Sequence, residues 1–452
     1  MVTLGQLSHS SVVKVAAKKP PLVSPYFVLR KKPWEVMVNY LVTAPSSRQR
    51  IFPITGMGGC GKTQLVSYFL QEYPLLYAQT VYVDASSSSS IKSDLQTWVR
   101  TIGEGPDHGA WEDALRMLNA PPQSEQWVLI LDNADDPALD LKLFLPKNVN
   151  VTILVTSRNR NLSNLSTTKH LELGEMSADE ALAVMRLASR RQMPLPDKEL
   201  DSATTLMREL GYLAVALVQA GTYCYQLSST IGEYLSLFKT HRTELMKGRG
   251  NTSLDNYERA VYATLDLSYN KLPQDAKDFF HLISFFHHTE IPLSAFTRAA
   301  DNDFEDPQRY LPRPDSHTNT ISDLKITLCN QGKWSDFTIQ RIIGDLRSFS
   351  LVTASSLDNS LFLHLHPLIQ TWSRDRSSNL SQRFQAMAIQ ILVACGSNDW
   401  SLNQYLLPHI QDTLHQVQRQ DLHVNDLMSF GKVVKQQGHY PEVANLFEVA
   451  LS

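Results

Sequence analysis

Between residues 26 and 175, almost unbroken apolar runs alternate with stretches of helical period. Residues 51–54 form a short apolar run ending in a glycine-rich turn, and 80–84, 126–132 and 151–158 read as three further strands. After the turn, apolar residues in 64–70 recur at i, i+3 and i+4, the period of a helix. Strands without a polar face, separated by helices, predict a parallel sheet covered on both sides. The serine run 86–90 reads as a solvated loop that caps the next helix. From about residue 177 the strand signal stops, and helices are predicted over 178–191, 199–210, 214–226 and 231–239, with more between 255 and 300. Residues 301–320 are polar and proline-containing and read as a surface excursion. A helix over 339–349 followed by strand, turn and strand up to His366 predicts a winged helix, and the chain is helical again from about 379.

At 452 residues the chain has room for several domains with their own cores. A net charge of −3 gives no electrostatic case for nucleic acid or an anionic membrane. Cys60, Cys224, Cys329 and Cys395 lie far apart without a C-x-x-C pair, which argues against a zinc or disulfide framework and fits a reducing compartment. No apolar run is long enough to span a bilayer, and no apolar segment follows Lys14, Lys18 and Lys19 as in a secretory signal. A soluble, cytoplasmic protein is expected.

Residues 51–63 carry the strongest chemical signal. Gly56 and Gly61 bracket four residues ahead of Lys62-Thr63, which satisfies G-x-x-x-x-G-K-[ST]. A loop that wraps phosphates must turn its backbone N–H groups inward, and glycines permit the positive φ and close approach this needs. Gly56, Gly58, Gly59, Cys60, Gly61, Lys62, Thr63 and Gln64 are therefore assigned to the cofactor, with Cys60 a small spacer. Lys62 places a point charge on the terminal phosphates, and the Thr63 hydroxyl ligates Mg2+. At the end of its strand, Asp132 stands where P-loop proteins hold that metal. The neighbouring Asn133 cannot act as a base, and Asp135 or Asp136 is the candidate substitute, although helix capping suits either equally well. Any ATPase turnover is expected to be slow. Arg158, after Thr156-Ser157, would set a guanidinium beside the γ-phosphate.

These motifs resemble the NB-ARC nucleotide-binding domains of STAND ATPases, including NLR-type immune receptors and their fungal relatives. The resemblance runs from about Phe27 to Trp372. Phe27-Val28-Leu29-Arg30 is similar to the family's opening motif against the base, with Leu29 in place of a glycine. Residues 210–217 resemble the motif whose proline packs on adenine, with Ala214 at the proline's position. Leu363 to Ile369 is similar to the motif whose histidine contacts the ADP β-phosphate. His366 is the matching position and His364 the alternative, while a buried hairpin histidine is the plainer reading of the pair. The resemblance implies a flexible segment (1–25), an α/β P-loop NTPase domain (26–175), a helical ARC1-like domain (176–250), a winged-helix ARC2-like domain (251–376) and a helical tail (377–452). Phe430-Gly431, Val434, Gly438, Tyr440, Phe447 and Ala450 suggest a partial TPR-like repeat in that tail. Because one repeat cannot bury its own face and the chain ends at Ser452, a truncated array is expected.

The implied function is a switch: ADP holds the domains closed, and exchange for ATP frees them to assemble as a homo-oligomer. Protein partners would bind through the tail. An inert nucleotide-bound scaffold is the first alternative. The second is an ATP-regulated winged-helix transcription regulator, whose basic residues Lys333, Arg341 and Arg347 are diluted by Asp336 and Asp345.

Overall fold

The computed structural model describes residues 17–43, 48–102, 109–166, 169–192, 194–248, 256–330, 333–357, 360–376, 380–396 and 400–451. In chain order the first region holds α1 (Lys31–Val38), β1 (Ile51–Thr55), α2 (Lys62–Glu72), β2 (Gln79–Asp84), α3 (Ser88–Ile102), α4 (Trp111–Asn119), β3 (Trp127–Asp132), β4 (Val151–Ser157) and β5 (Leu171–Glu172). The five strands form one parallel sheet in the order β2-β3-β4-β1-β5. This is a P-loop NTPase-like α/β fold.

Alternate strand residues explain the absent polar face. Phe52, Ile54, Val128, Ile130 and Leu154 enter one core, while Val81, Val83, Leu129, Leu131, Ile153 and Val155 enter the other beneath α3 and α4. Successive side chains point to opposite faces, so burial on both demands apolar residues at every position.

The remainder is mostly helical, starting with α5 (Ala178–Ser189), α6 (Asp197–Glu209), α7 (Ala214–Gln226) and α8 (Ile231–Gly248). Ser177 and Glu180 close a reciprocal capping box at the start of α5. Next come α9 (Asn256–Asn270), α10 (Gln274–Ile283), β6 (Ile291–Pro292), α11 (Leu293–Asp301), α12 (Ser316–Leu328), β7 (Cys329–Asn330), β8 (Lys333–Trp334), α13 (Asp336–Ser348), β9 (Thr353–Leu357), β10 (Ser360–His364) and α14 (Pro367–Arg376). β9 and β10 form an antiparallel hairpin whose second strand also pairs with β6. The tail comprises α15 (Ser381–Cys395), α16 (Trp400–Gln416), α17 (Val424–Gln436) and α18 (Tyr440–Leu451). A Cβ at Gly431 would overlap the Phe447 ring, so the glycine sets the close approach of α17 and α18. No helix among the described residues is long and apolar enough to cross a membrane.

Two segments read as lying apart from the core make contacts with it. Residues 1–16 of the expected flexible segment lie outside the described residues. From residue 17 onward the chain is held: Lys18 is buried beside Asp94, and the Gln64 side chain bonds the backbone of Leu22 and Ser24. The excursion 301–320 is likewise anchored, because buried Asp306 pairs with Arg313, which also reaches Asp426 on α17. A buried carboxylate needs its charge partner; Arg313 supplies it from within the segment, and the second carboxylate it holds, Asp426, lies on a distant helix that sequence pattern could not name.

Candidate functional site

The parallel arrangement brings the carboxyl ends of β1, β3 and β4 to one edge of the sheet, where ligands of open α/β sheets bind. The loop after β1 supplies the cradle. Gly59 has φ +77°, and a Cβ there would sit 2.5 Å from Val215 Cγ1. Gly61 has φ +97° at the N-cap of α2. Backbone N–H groups at the start of α2 are unpaired within the helix and favour an anion. Lys62, buried at 8% exposure, donates from Nζ to the carbonyls of Gly56 and Met57, each at 2.8 Å. Cys60 is buried, and that burial pushes its thiol up against the pull of Lys62, which fits a spacer and not a nucleophile.

Asp132 gathers three hydroxyl donors. Thr63 Oγ1 donates to its Oδ1 at 2.8 Å, Thr156 Oγ1 to the same atom at 2.5 Å, and Tyr82 OH to its Oδ2 at 2.7 Å. Burial raises the carboxyl's pKa against these hydrogen bonds. Thr63 and Asp132, both assigned to metal from sequence, thus share one hydrogen bond. Tyr82 and Thr156 were missed as partners of Asp132. Alternation does place Tyr82 on one face of β2, but the register that aims that face at Asp132 is not written in the strand itself.

Asp135 is not a free base. Arg158 donates to it from its backbone N and its Nε, both at 2.6 Å. The carboxylate is engaged in positioning the guanidinium. Asp136 accepts from Ala138 N at 2.8 Å and caps its turn. Asn133 has φ +60° and donates from its backbone to Thr156 Oγ1.

The charges of Lys62 and Arg158 both act on the His366 ring. A Cβ on Gly58 would be 3.5 Å from Arg158 Cδ, so the arginine stem passes along the loop. Burial, and then the charges of Lys62 and Arg158, push His366 down to about 4. Its Nδ1 accepts from Leu368 N at 3.1 Å, so the neutral ring carries its proton on Nε2 as a donor. His364 is otherwise engaged: it bonds Ser355 across the hairpin and accepts from Glu290 N.

The other expected residues are placed as follows. Arg30 is buried and donates to the carbonyls of Gly174 and Glu175 at 3.0 and 2.5 Å, with Glu180 nearby. Phe27 packs its ring on Tyr68 of α2, and Val28 packs on the core. Ala214 opens α7, where Val215 N donates to Gly59 O and ties that helix to the loop. The Gln64 side chain bonds the backbone of residues 22 and 24.

Beside this site lies a second polar junction that sequence reading did not find. Asp84 stands opposite Asp132 in the strand register. His287 Nε2 is 2.7 Å from Asp84 Oδ2, and His288 Nε2 is 3.4 Å from the Asn133 amide. Burial raises the Asp84 carboxyl's pKa, yet Lys18 and His287 hold it well below the carboxylate range.

The NB-ARC domain family matches residues 30–192. Among solved structures, the chain is similar to a Signal Transduction ATPase with Numerous Domains (STAND) protein with a tetratricopeptide repeat sensor from Pyrococcus horikoshii. That match has 14% identity and a TM-score of 0.48 and covers 96% of this chain and 60% of the other. It is also similar to the Aeropyrum pernix ORC2 protein, solved as ADPNP–ADP complexes, at 15% identity and a TM-score of 0.33, covering 80% and 97% of the two chains. Cdc6p from Pyrobaculum aerophilum matches at 12% identity and a TM-score of 0.28, covering 84% and 96%. The chain therefore spans 60% of the length of the first of these. No curated protein matches it by sequence.

Proposed function

With residues 30–192 forming an NB-ARC domain, we propose that the chain is a nucleotide-controlled conformational switch, closed around ADP and released by ATP. The convergence of Lys62, Arg158 and His366 carries this reading. They come from the glycine-rich loop, a strand end and the segment after the hairpin, and the first two charges reach the His366 ring. A polyanion placed among them would be held from separate parts of the molecule at once.

The residues suit such a ligand. Gly59 leaves a cradle that a Cβ would fill, Lys62 is a buried ammonium, and Thr63 and Asp132 offer adjacent oxygens of the kind Mg2+ prefers. Magnesium there would neutralise phosphate charge. Lys62 and the α2 N-terminus would bind the phosphates, Arg158 would be held in line by Asp135, and His366 would donate from Nε2. Ala214, Phe27 and Val28 would supply apolar surface near the base. A nucleotide shifts such an equilibrium only by binding one arrangement better than the other. Release of the closed form is proposed to permit homo-oligomer assembly, with the tail, read as TPR-like, offered to protein partners in the cytoplasm.

The test is His366→Ala. We expect weaker ADP retention and a larger species by light scattering after ATP exchange. A variant that stays monomeric and retains ADP like the wild type would refute the switch. One observation favours a second reading, a bound nucleotide with a purely structural role: Asn133 follows Asp132, and the Asp135 carboxylate is occupied by Arg158. Single-turnover ATPase measurement separates the two. The regulator reading loses ground, because Arg341 is paired with Asp275 and Asp345.

A further inference from the structure

The junction beside the nucleotide site is built from parts of the chain that are far apart in sequence. Asp84 ends β2, and His287 and His288 lie in the irregular turn between α10 and β6. All three are buried, at 2%, 6% and 8% exposure, and each offers one ligand atom within 4.8 Å of the others. We propose that Asp84, His287 and His288 form a site for a divalent transition ion of the zinc class, which clamps the turn before the hairpin onto the sheet.

Three observations support it. First, Asp84 Oδ2 and His287 Nε2 approach to 2.7 Å with their side chains only 3% and 7% exposed, so one ion could take both atoms in exchange for the imidazole proton. Second, the His287 ring is oriented from behind. Thr289 Oγ1 and N lie 3.1 and 3.5 Å from its Nδ1 and hold the ring with Nε2 toward Asp84, as the outer shell of a metal-bound histidine does. Third, two buried carboxylates, Asp84 and Asp94, share the Lys18 ammonium, and a divalent cation would add positive charge beside them.

The donor set selects the ion. Two imidazoles and a carboxylate suit zinc-class ions with solvent as a further ligand, whereas Mg2+ and Ca2+ prefer all-oxygen sites such as Thr63 and Asp132. The clamp is therefore chemically distinct from the magnesium position one strand away. Its reach is architectural: Leu365 N donates to the His288 carbonyl, and His409 Nδ1 of α16 accepts from His287 N at 3.1 Å. An ion there would fix the hairpin segment that carries His366 and the tail helix together.

The full chain, free of any histidine tag, would be stripped with EDTA, titrated with Co2+ and followed by its visible d–d bands. Its zinc content would then be measured after equilibration with Zn2+ and dialysis. About one ion per chain is expected, with a rise in melting temperature that Zn2+ produces and Mg2+ does not. His287→Ala and His288→Ala should each lower zinc retention by about tenfold or more while mant-ADP binding survives. Substoichiometric zinc with no thermal shift in the wild type would overturn the site, whatever the variants do. Equal retention by folded His287→Ala, His288→Ala and wild-type chains would overturn it too. Loss of mant-ADP binding by Lys62→Ala, or its absence in the wild type, bears on the nucleotide reading alone.

Discussion

The phosphate loop after β1 and the junction around Asp84 at the end of β2 share one edge of the sheet, but they are specified in different ways. The loop itself is contiguous: Lys62 bonds the carbonyls of Gly56 and Met57, and only Thr63, at Asp132, and Gly59, against Val215, reach beyond it. The junction draws Lys18, Asp84, Asp94, His287 and His409 from four distant parts of the chain. A local site tolerates rearrangement elsewhere, whereas a dispersed one exists only while every segment is docked. The difference suggests a division of labour in which the loop holds the ligand and the junction holds the closed architecture.

The largest effect should come from the local site. Lys62→Ala is expected to weaken ADP binding by about 100-fold or more, since charge-assisted bonds to phosphate are lost, with little change in folding. Isothermal titration checks this, and unchanged affinity would remove the loop from the site. The junction should respond in the opposite sense. Lys18→Met leaves Asp94 and Asp84 buried without their ammonium and should cost about 3–5 kcal/mol in denaturant unfolding, while ADP affinity of the folded fraction stays near wild type. If affinity fell and stability held, the division of labour would be wrong. Gly431→Leu forces α17 away from the Phe447 ring and should cost about 1–3 kcal/mol, visible as faster hydrogen exchange confined to the tail.

The smallest effect is a pH dependence. Burial holds His281, His364 and His439 down at about 4 and His409 at about 3. Their unfolded values lie near 6.5, so between those limits the unfolded chain binds more protons. Stability from these histidines is therefore complete above about pH 6.5 and is lost as pH falls toward 4. His287, whose pKa is raised because Asp84 outweighs its burial, works against this trend. His439→Asn should flatten the dependence of melting temperature on pH, and a curve parallel to the wild type would show that ring to be unimportant.

How far each region could be read follows the same contrast. Apolar runs over β1, β3 and β4 gave the parallel sheet, and the loop motif gave Lys62, Thr63 and Asp132, because the physics behind them is local or depends on spacing alone. Arg158 was legible from its strand end and His366 only through resemblance; that the Lys62 and Arg158 charges act on the His366 ring is a tertiary fact. Helices α1, α4 and α12 were passed over, being short or weakly patterned stretches whose stability comes from packing. The pairing of Asp135 could not be read, since whether a carboxylate is free or paired depends on which cation the fold brings to it.

By itself, then, the sequence determined which strands would be buried on both faces and where a polyanion could be wrapped, since side-chain period and glycine spacing act over a few residues. Only the tertiary structure decided that Lys18 sits between Asp84 and Asp94, that the Lys62 and Arg158 charges act on His366, and that Asp84 meets two histidines. Those placements depend on strand register and on the docking of segments hundreds of residues apart, where pairing among buried charges, and not local preference, selects the partner.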